Sequence, residues 1–196
     1  MYRPVLVTPP AIAPVTVAEF KAQSRVDVSD DDAIIARLIS AATAHLDGWT
    51  GILGRALVEQ TWRQDFDAFC RDMRLPLFPV ISIASVAYDD ASGAAQTIAG
   101  TNYRLVNDEG GAILRLNDEF AFPAVFDEAP AIRVTYVAGY PTTAGVSTVP
   151  ESIKHAILLL AAHWYEHREA VVAGGAPAVL SMAVDALLAP YRQIRF

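Results

Sequence analysis

The sequence predicts an α+β fold in which a helical body, made of N-terminal and C-terminal helices, is interrupted by an antiparallel β insertion. Three observations carry this reading. Apolar residues recur at helical spacing before residue 54 and after residue 150, the spacing changes to two between about 57 and 137, and clusters of Gly, Asn, Asp and Pro cut that middle stretch into short runs. With 196 residues, 53% of them hydrophobic, one domain can build a core without staples.

The elements follow in order. Residues 1–15 hold four of the twelve prolines, so this arm is extended and is expected to lie against a surface of its own fold or of a neighbouring subunit. Helices occupy residues 16–54. Thr16 with Glu19 forms a capping box and Val15 with Phe20 a hydrophobic staple for the first, which runs to about Ser24. Ser29 and Asp32 are expected to cap the second reciprocally, with Asp30 and Asp31 placing negative charge on its positive end. Ile35, Leu38, Ala42, Leu46 and Trp49 give it a buried face until Gly51 and Gly54 end it.

The β insertion spans 57–137, with about five or six strands. Trp62, Gln64 and Phe66 alternate with Arg63, Asp65 and Asp67; Ile132, Val134 and Tyr136 alternate with Arg133, Thr135 and Val137. Shorter runs at 80–88, 103–106 and 112–116 are separated by turns at 89–93, 107–111 and around Pro123. Helices resume over 150–188. Pro150 and Glu151 suit the start of the third helix, whose stripe is Ile153, Ile157, Leu160 and Trp164. After Gly174 and Gly175 a short fourth helix covers 179–188, and residues 189–196 form a basic, aromatic tail.

Composition narrows the function. A net charge of −7, with only 15 Lys and Arg thinly spread, argues against gripping nucleic acid, because phosphate neutralisation needs clustered cations. One cysteine, Cys70, excludes an internal disulfide and a cysteine-based zinc cluster, and is expected to be a passive, partly buried thiol. The first residues lack the apolar run of a signal peptide, so no secretion is expected, and the longest apolar run, 156–162, is too short to cross a bilayer.

The chemical motifs are few. His163, Glu166 and His167 spell H-x-x-E-H, which on a helix would place two imidazoles one turn apart with a carboxylate base, the core of a small zinc-dependent hydrolase. A third ligand is needed, and Asp185 is the carboxylate left downstream of Glu169. The competing reading makes His163, Trp164, Tyr165 and His167 a packing and subunit-contact surface near a helix end. The acidic run Asp27, Asp30, Asp31 and Asp32 lacks the Gly and distal Glu of a calcium loop and is read as capping. No phosphate-cradling Gly loop and no G-x-S-x-G serine occur. In the tail, Tyr191, Arg192, Ile194, Arg195 and Phe196 combine apolar anchors with Arg donors, as docking segments do.

Several segments in fixed order carry a resemblance: Pro14-Val-Thr-Val-Ala-Glu-Phe-Lys21, Asp30-Asp-Asp-Ala-Ile-Ile35, Ala41-Ala-Thr-Ala-His-Leu-Asp-Gly-Trp-Thr-Gly51, Gln60-Thr-Trp62, Val149-Pro-Glu-Ser-Ile-Lys-His155, His163-Trp-Tyr-Glu-His-Arg-Glu169 and Leu187-Leu-Ala-Pro-Tyr-Arg192. Over nearly its whole length the chain resembles the head–tail connector (adaptor) family of long-tailed phages, prophages and gene transfer agents. The resemblance implies a non-enzymatic structural protein without cofactor or metal. It is expected to form a dodecameric ring below the capsid portal, the free chain being a monomer by default until a portal template is present. Expected partners are the portal protein, reached by the tail, and a tail-proximal connector or stopper. Passing DNA would be met without sequence-specific binding, and no membrane is involved. The expected location is the cytoplasm during assembly, then the head–tail junction of a virion or phage-like particle. Asp89, Asp90, Asp108 and Glu109 are candidates for the channel lining or for tail contacts.

Overall fold

A computed structural model describes residues 2–108, 111–167 and 178–192. The elements in chain order are β1 (Val5–Thr8), α1 (Val17–Ser24), α2 (Asp32–Leu46), β2 (Gln60–Phe66), β3 (Asp72–Leu75), β4 (Val80–Asp89), β5 (Ala95–Thr97), β6 (Tyr103–Asp108), β7 (Gly111–Leu116), β8 (Ile132–Ala138), β9 (Thr142–Thr143), β10 (Val146–Ser147), α3 (Glu151–Glu166) and α4 (Ala178–Leu188). The chain is α+β with antiparallel sheets, and it divides into two compact units. One comprises Met1–Ala11 and Arg55–Pro141, the other Ile12–Gly54 and Thr142–Phe196.

The first unit is built from two sheets. Five strands run in the order β1-β2-β8-β4-β5, and three in the order β3-β7-β6. The alternation read from the sequence is observed in β8 and in β2 as far as Gln64, where Trp62 and Gln64 pair with Tyr136 and Val134 on a buried face, while at the end of β2 Asp65 is buried and Phe66 half-buried. Met73, Leu75, Leu114 and Leu116 on β3 and β7 are buried with them, so the inward sides of both sheets supply this unit's core. Opposite faces carry ion pairs: Asp72 with Arg115 at 2.5 Å, Arg74 with Asp108 at 2.9 Å, Arg133 with Asp89 at 2.6 Å, and Arg63 with Asp65 at 2.9 Å.

The proline-rich arm is part of this unit. Its residues 5–8 pair antiparallel with β2, and the Gln64 Nε2 amide donates to the Tyr2 carbonyl at 2.9 Å. The chain enters and leaves the unit at adjacent points, because Arg55 donates to the Tyr140 hydroxyl at 2.7 Å and Val58 bridges Tyr140. Gly139 is required there, since a Cβ on it would lie 2.4 Å from the Val58 carbonyl oxygen.

In the second unit α1 has the expected cap. The Glu19 amide donates to Thr16 Oγ1 at 3.1 Å, the Glu19 carboxylate accepts from the Thr16 amide at 2.6 Å, and Val15 and Phe20 are both buried. The reciprocal Ser29–Asp32 cap is not formed. Asp31 is the N-cap of α2 without a side-chain bond to the helix, and Asp32 pairs with Lys21 at 2.9 Å. A nearby ammonium and a tyrosine hydroxyl outcompete the backbone for these two carboxylates. Helix α2 also stops at Leu46, earlier than expected; the Ile52 and Leu53 amides return to the His45 and Leu46 carbonyls. Gly51 permits that return, as a side chain would collide with the Leu46 backbone at 2.3 Å.

Helix α3 starts after Pro150, whose carbonyl accepts from Ile153 and Lys154. Its buried stripe is Ile153, Ala156, Ile157 and Ala161, a register in which Leu160 and Trp164 are only half-buried. Residues 142–147 form the small β9–β10 hairpin, which the sequence reading passed over as a lead-out. The expected break at Gly174 and Gly175 lies outside the described residues.

Candidate assembly surfaces

At the end of α3 the aromatic and histidine residues divide by role. Tyr165 turns inward: its hydroxyl donates to the Asp31 carboxylate at 2.5 Å and its ring meets Phe20 edge-on at 5.7 Å. It therefore ties α3 to α1 and to the start of α2 within one unit. His163 lies in the last turn and His167 is the C-cap, their rings edge to face at 4.6 Å, while Glu166 and His167 are exposed. Trp164 is half-buried. Among the described residues no three His, Cys, Asp or Glu side chains gather in a metal-holding group. Asp185, considered as third ligand, accepts a hydrogen bond from Arg192 at 2.5 Å. The zinc-hydrolase reading gains no support here.

The tail begins as a single 3₁₀ turn, Ala189–Tyr191, following α4. Tyr191 is half-buried, and Arg192 lies exposed against Asp185. Ile194, Arg195 and Phe196 lie outside the described residues. Helix α4 buries Val184 and Leu188 while Met182 stands 73% exposed.

The carboxylates considered for a channel are already engaged. Asp89 is held by Arg133 through two bonds of 2.6 Å, which lowers its pKa. Asp108 is held by Arg74. Asp90 accepts from the Ser92 hydroxyl, Gln96 and the Ser92 and Ala94 amides, which together lower its pKa to about 2. Glu109 lies outside the described residues. Cys70 is exposed rather than partly buried, its thiol 3.4 Å from the Asp72 carbonyl. Local desolvation and then the Asp72 carboxylate push its pKa up.

The feature the sequence reading missed is an aromatic surface loop over residues 117–131. Phe69 stacks on Phe122 at 5.8 Å and meets Tyr88 edge-on at 5.5 Å, with Phe120 6.4 Å from Phe122. The Arg71 guanidinium covers Phe122 at 4.7 Å and donates to the Asn117 and Phe120 carbonyls. Farther on, Val125 bridges Asp90 and the Phe126 amide donates to the Asp89 carbonyl. The loop is pinned at both ends, yet Phe122 and Phe126 remain 43% and 36% exposed. Spaced phenylalanines at 120, 122 and 126 were the available signal; their partners Phe69 and Arg71 are remote in sequence.

Comparison with solved structures shows what this architecture resembles. The neck of an empty gene transfer agent (GTA) particle, computed with C6 symmetry, contains a chain similar at 25% identity and TM-score 0.77, and the virion of a native GTA particle one at 26% and 0.75. The neck of a native GTA particle computed with C12 symmetry has the same fold, at 24% identity and TM-score 0.75. Each match covers 100% of this chain and 97% of the other. No curated protein matches it. The class is thus that of structural, virion-assembly proteins of the head–tail connector type. The chain belongs to the head completion protein family, whose model matches residues 14–193.

Proposed function

We propose that the protein is a head–tail adaptor that forms a ring below the capsid portal, joins it to the tail and contributes a segment of the DNA conduit. The likeness to neck chains over essentially the full length of both partners supports this reading. In it the helices of residues 16–54 and 150–188 form the body, residues 57–137 are the β insertion, and the arm of 1–15 is a strap. Twelve copies are expected, assembled in the cytoplasm and then resident at the head–tail junction, with a stopper or connector on the tail side.

The tail of residues 189–196 is assigned to the portal, with Tyr191, Ile194 and Phe196 as anchors and Arg192 and Arg195 as clamps; on docking, Arg192 would exchange Asp185 for a portal acceptor. His163, Trp164 and His167 are assigned to subunit packing beside Tyr165. A net charge of −7 suits a conduit, because DNA must slip past and not be held. The test is electron microscopy of the protein mixed with its portal, with and without residues 189–196. An added ring for the full chain and none for the truncated, still folded chain is expected. Equal ring formation by both would refute the tail assignment.

A further inference from the structure

The five-stranded sheet has two ends that differ in what they carry. Gln60 opens β2 opposite Ala138, where β8 closes, and β1 runs toward the same end, from Val5 beside Arg63 to Thr8 beside Thr61. The chain passes to the helices after Ala11, before Arg55 and after Pro141, so its three covalent connections leave from this end. At the opposite end Phe66 pairs with Ile132, and Ile132 with Tyr88. The seven residues of β8 separate the two ends by about 20 Å.

That far end carries the phenylalanine loop. Asp89 and Asp90, where β4 finishes, hold it through the Asp89 carbonyl that accepts from the Phe126 amide and through the bridge to Val125. The Phe126 ring lies beside Gly93 in the turn from β4 to β5, where a Cβ would stand 3.5 Å from it. Ala121, Ala124, Ala129 and Pro130 are exposed along with Phe122 and Phe126, so the loop shows solvent mostly apolar side chains. Its charges have one sign: residues 117–131 contain no Lys or Arg, and Glu119, Asp127 and Glu128 are exposed without an ion-pair partner among the described residues. Arg71, the cation beside the rings, is committed to Phe122 and to the Asn117 and Phe120 carbonyls.

Resting on the adaptor reading above, we propose that this end of the sheet is the docking surface for the tail-side component, whose matching face offers apolar side chains flanked by Lys and Arg. Phe122 and Phe126 supply the apolar anchors. Glu119, Asp127 and Glu128 select a cationic rim and repel phosphate, so the surface suits a protein and not the passing DNA. A second copy is a poor match for an acidic surface, since each chain carries a net charge of −7. The tail assigned to the portal belongs to the other unit, which leaves this end to a different partner. Arg71 at one end of the loop and Asp89 at the other hold it before binding, so little ordering entropy opposes docking.

The test is binding of the purified tail-side connector or stopper of the same particle to portal-bound rings of the full-length protein, read by co-sedimentation and electron microscopy. Glu119→Lys, Asp127→Lys and Glu128→Lys in one chain reverse the charge at exposed positions and leave the core intact. Phe126→Ala removes one anchor without touching Phe69 or Arg71. Each variant is expected to weaken connector binding about tenfold with ring formation on the portal unchanged, and the wild-type affinity to fall as salt is raised. Wild-type affinity in either variant would overturn the docking surface and leave the adaptor reading standing, as would portal-bound wild-type rings that take up no connector. Loss of ring formation or portal binding by the charge-reversed chain, still folded by circular dichroism, would also overturn it and assign the surface to a second copy or to the portal. If the wild type binds neither portal nor connector, the adaptor reading itself fails and the docking surface with it.

Discussion

Asp90 shows how one short side chain can organise a turn: four hydrogen bonds converge on its carboxylate where β4 turns into β5. Its folded pKa of about 2 lies below the ordinary 3.8, so its stabilisation is complete above pH 4 and fades as pH falls through 2. Asp72 and Asp89, also lowered by their arginines, add to the same acid-side loss. Thermal melts of Asp90→Asn should accordingly lose less Tm between pH 4 and pH 2 than the wild type, while starting lower at pH 7. Ala144 is the opposite case. With φ of 50° it occupies a left-handed position in the two-residue loop of the β9–β10 hairpin, followed by Gly145 at 78°. Ala144→Gly or Ala144→Asn should stabilise by about 1 kcal/mol, seen as a raised denaturation midpoint; a lowered one would contradict the strain argument.

At the scale of elements, the long ones were legible and the short ones were not. The capping box at Thr16 and the alternation of β2 and β8 are written in neighbouring residues, and both are observed. Strands β3, β5, β9 and β10, of two to four residues, are too short for periodicity to register, and β1 was hidden by prolines that exclude a helix without announcing an edge strand. The acidic run does stand at the start of α2, with Asp31 at the N-cap and Asp32 in the first turn, but the Ser29–Asp32 side-chain cap is missing because Lys21 and Tyr165, one on α1 and one on α3, claim Asp32 and Asp31. The phenylalanine loop escaped for a similar reason: Phe122 acquires meaning only once β3 brings Phe69 and Arg71 beside it. Two substitutions probe these elements. Thr16→Ala should cost about 1 kcal/mol of stability through the lost cap. Tyr165→Phe, which keeps the edge contact with Phe20 but removes the bond to Asp31, should cost about 1.5 kcal/mol; equal stability in urea titrations would show that bond to be idle.

For the whole molecule, carboxylates outnumber cations, 22 against 15. At least seven of those Lys and Arg side chains are taken up by carboxylates of the same chain, which lowers the number able to release counterions from phosphate. Duplex DNA should therefore show no retention by the purified protein in mobility-shift assays at physiological salt; a micromolar or tighter complex would oppose the slippery-conduit reading. The junction at Arg55, Val58 and Tyr140 carries a consequence of another kind. Because the polypeptide departs and returns at neighbouring atoms, residues 55–141, taken together with the arm strand β1 that pairs with β2, behave as a cassette, and exchanging both between relatives would demand no change in the length of the intervening helical sequence. The family could then vary this sheet unit without redesigning how the helices fold.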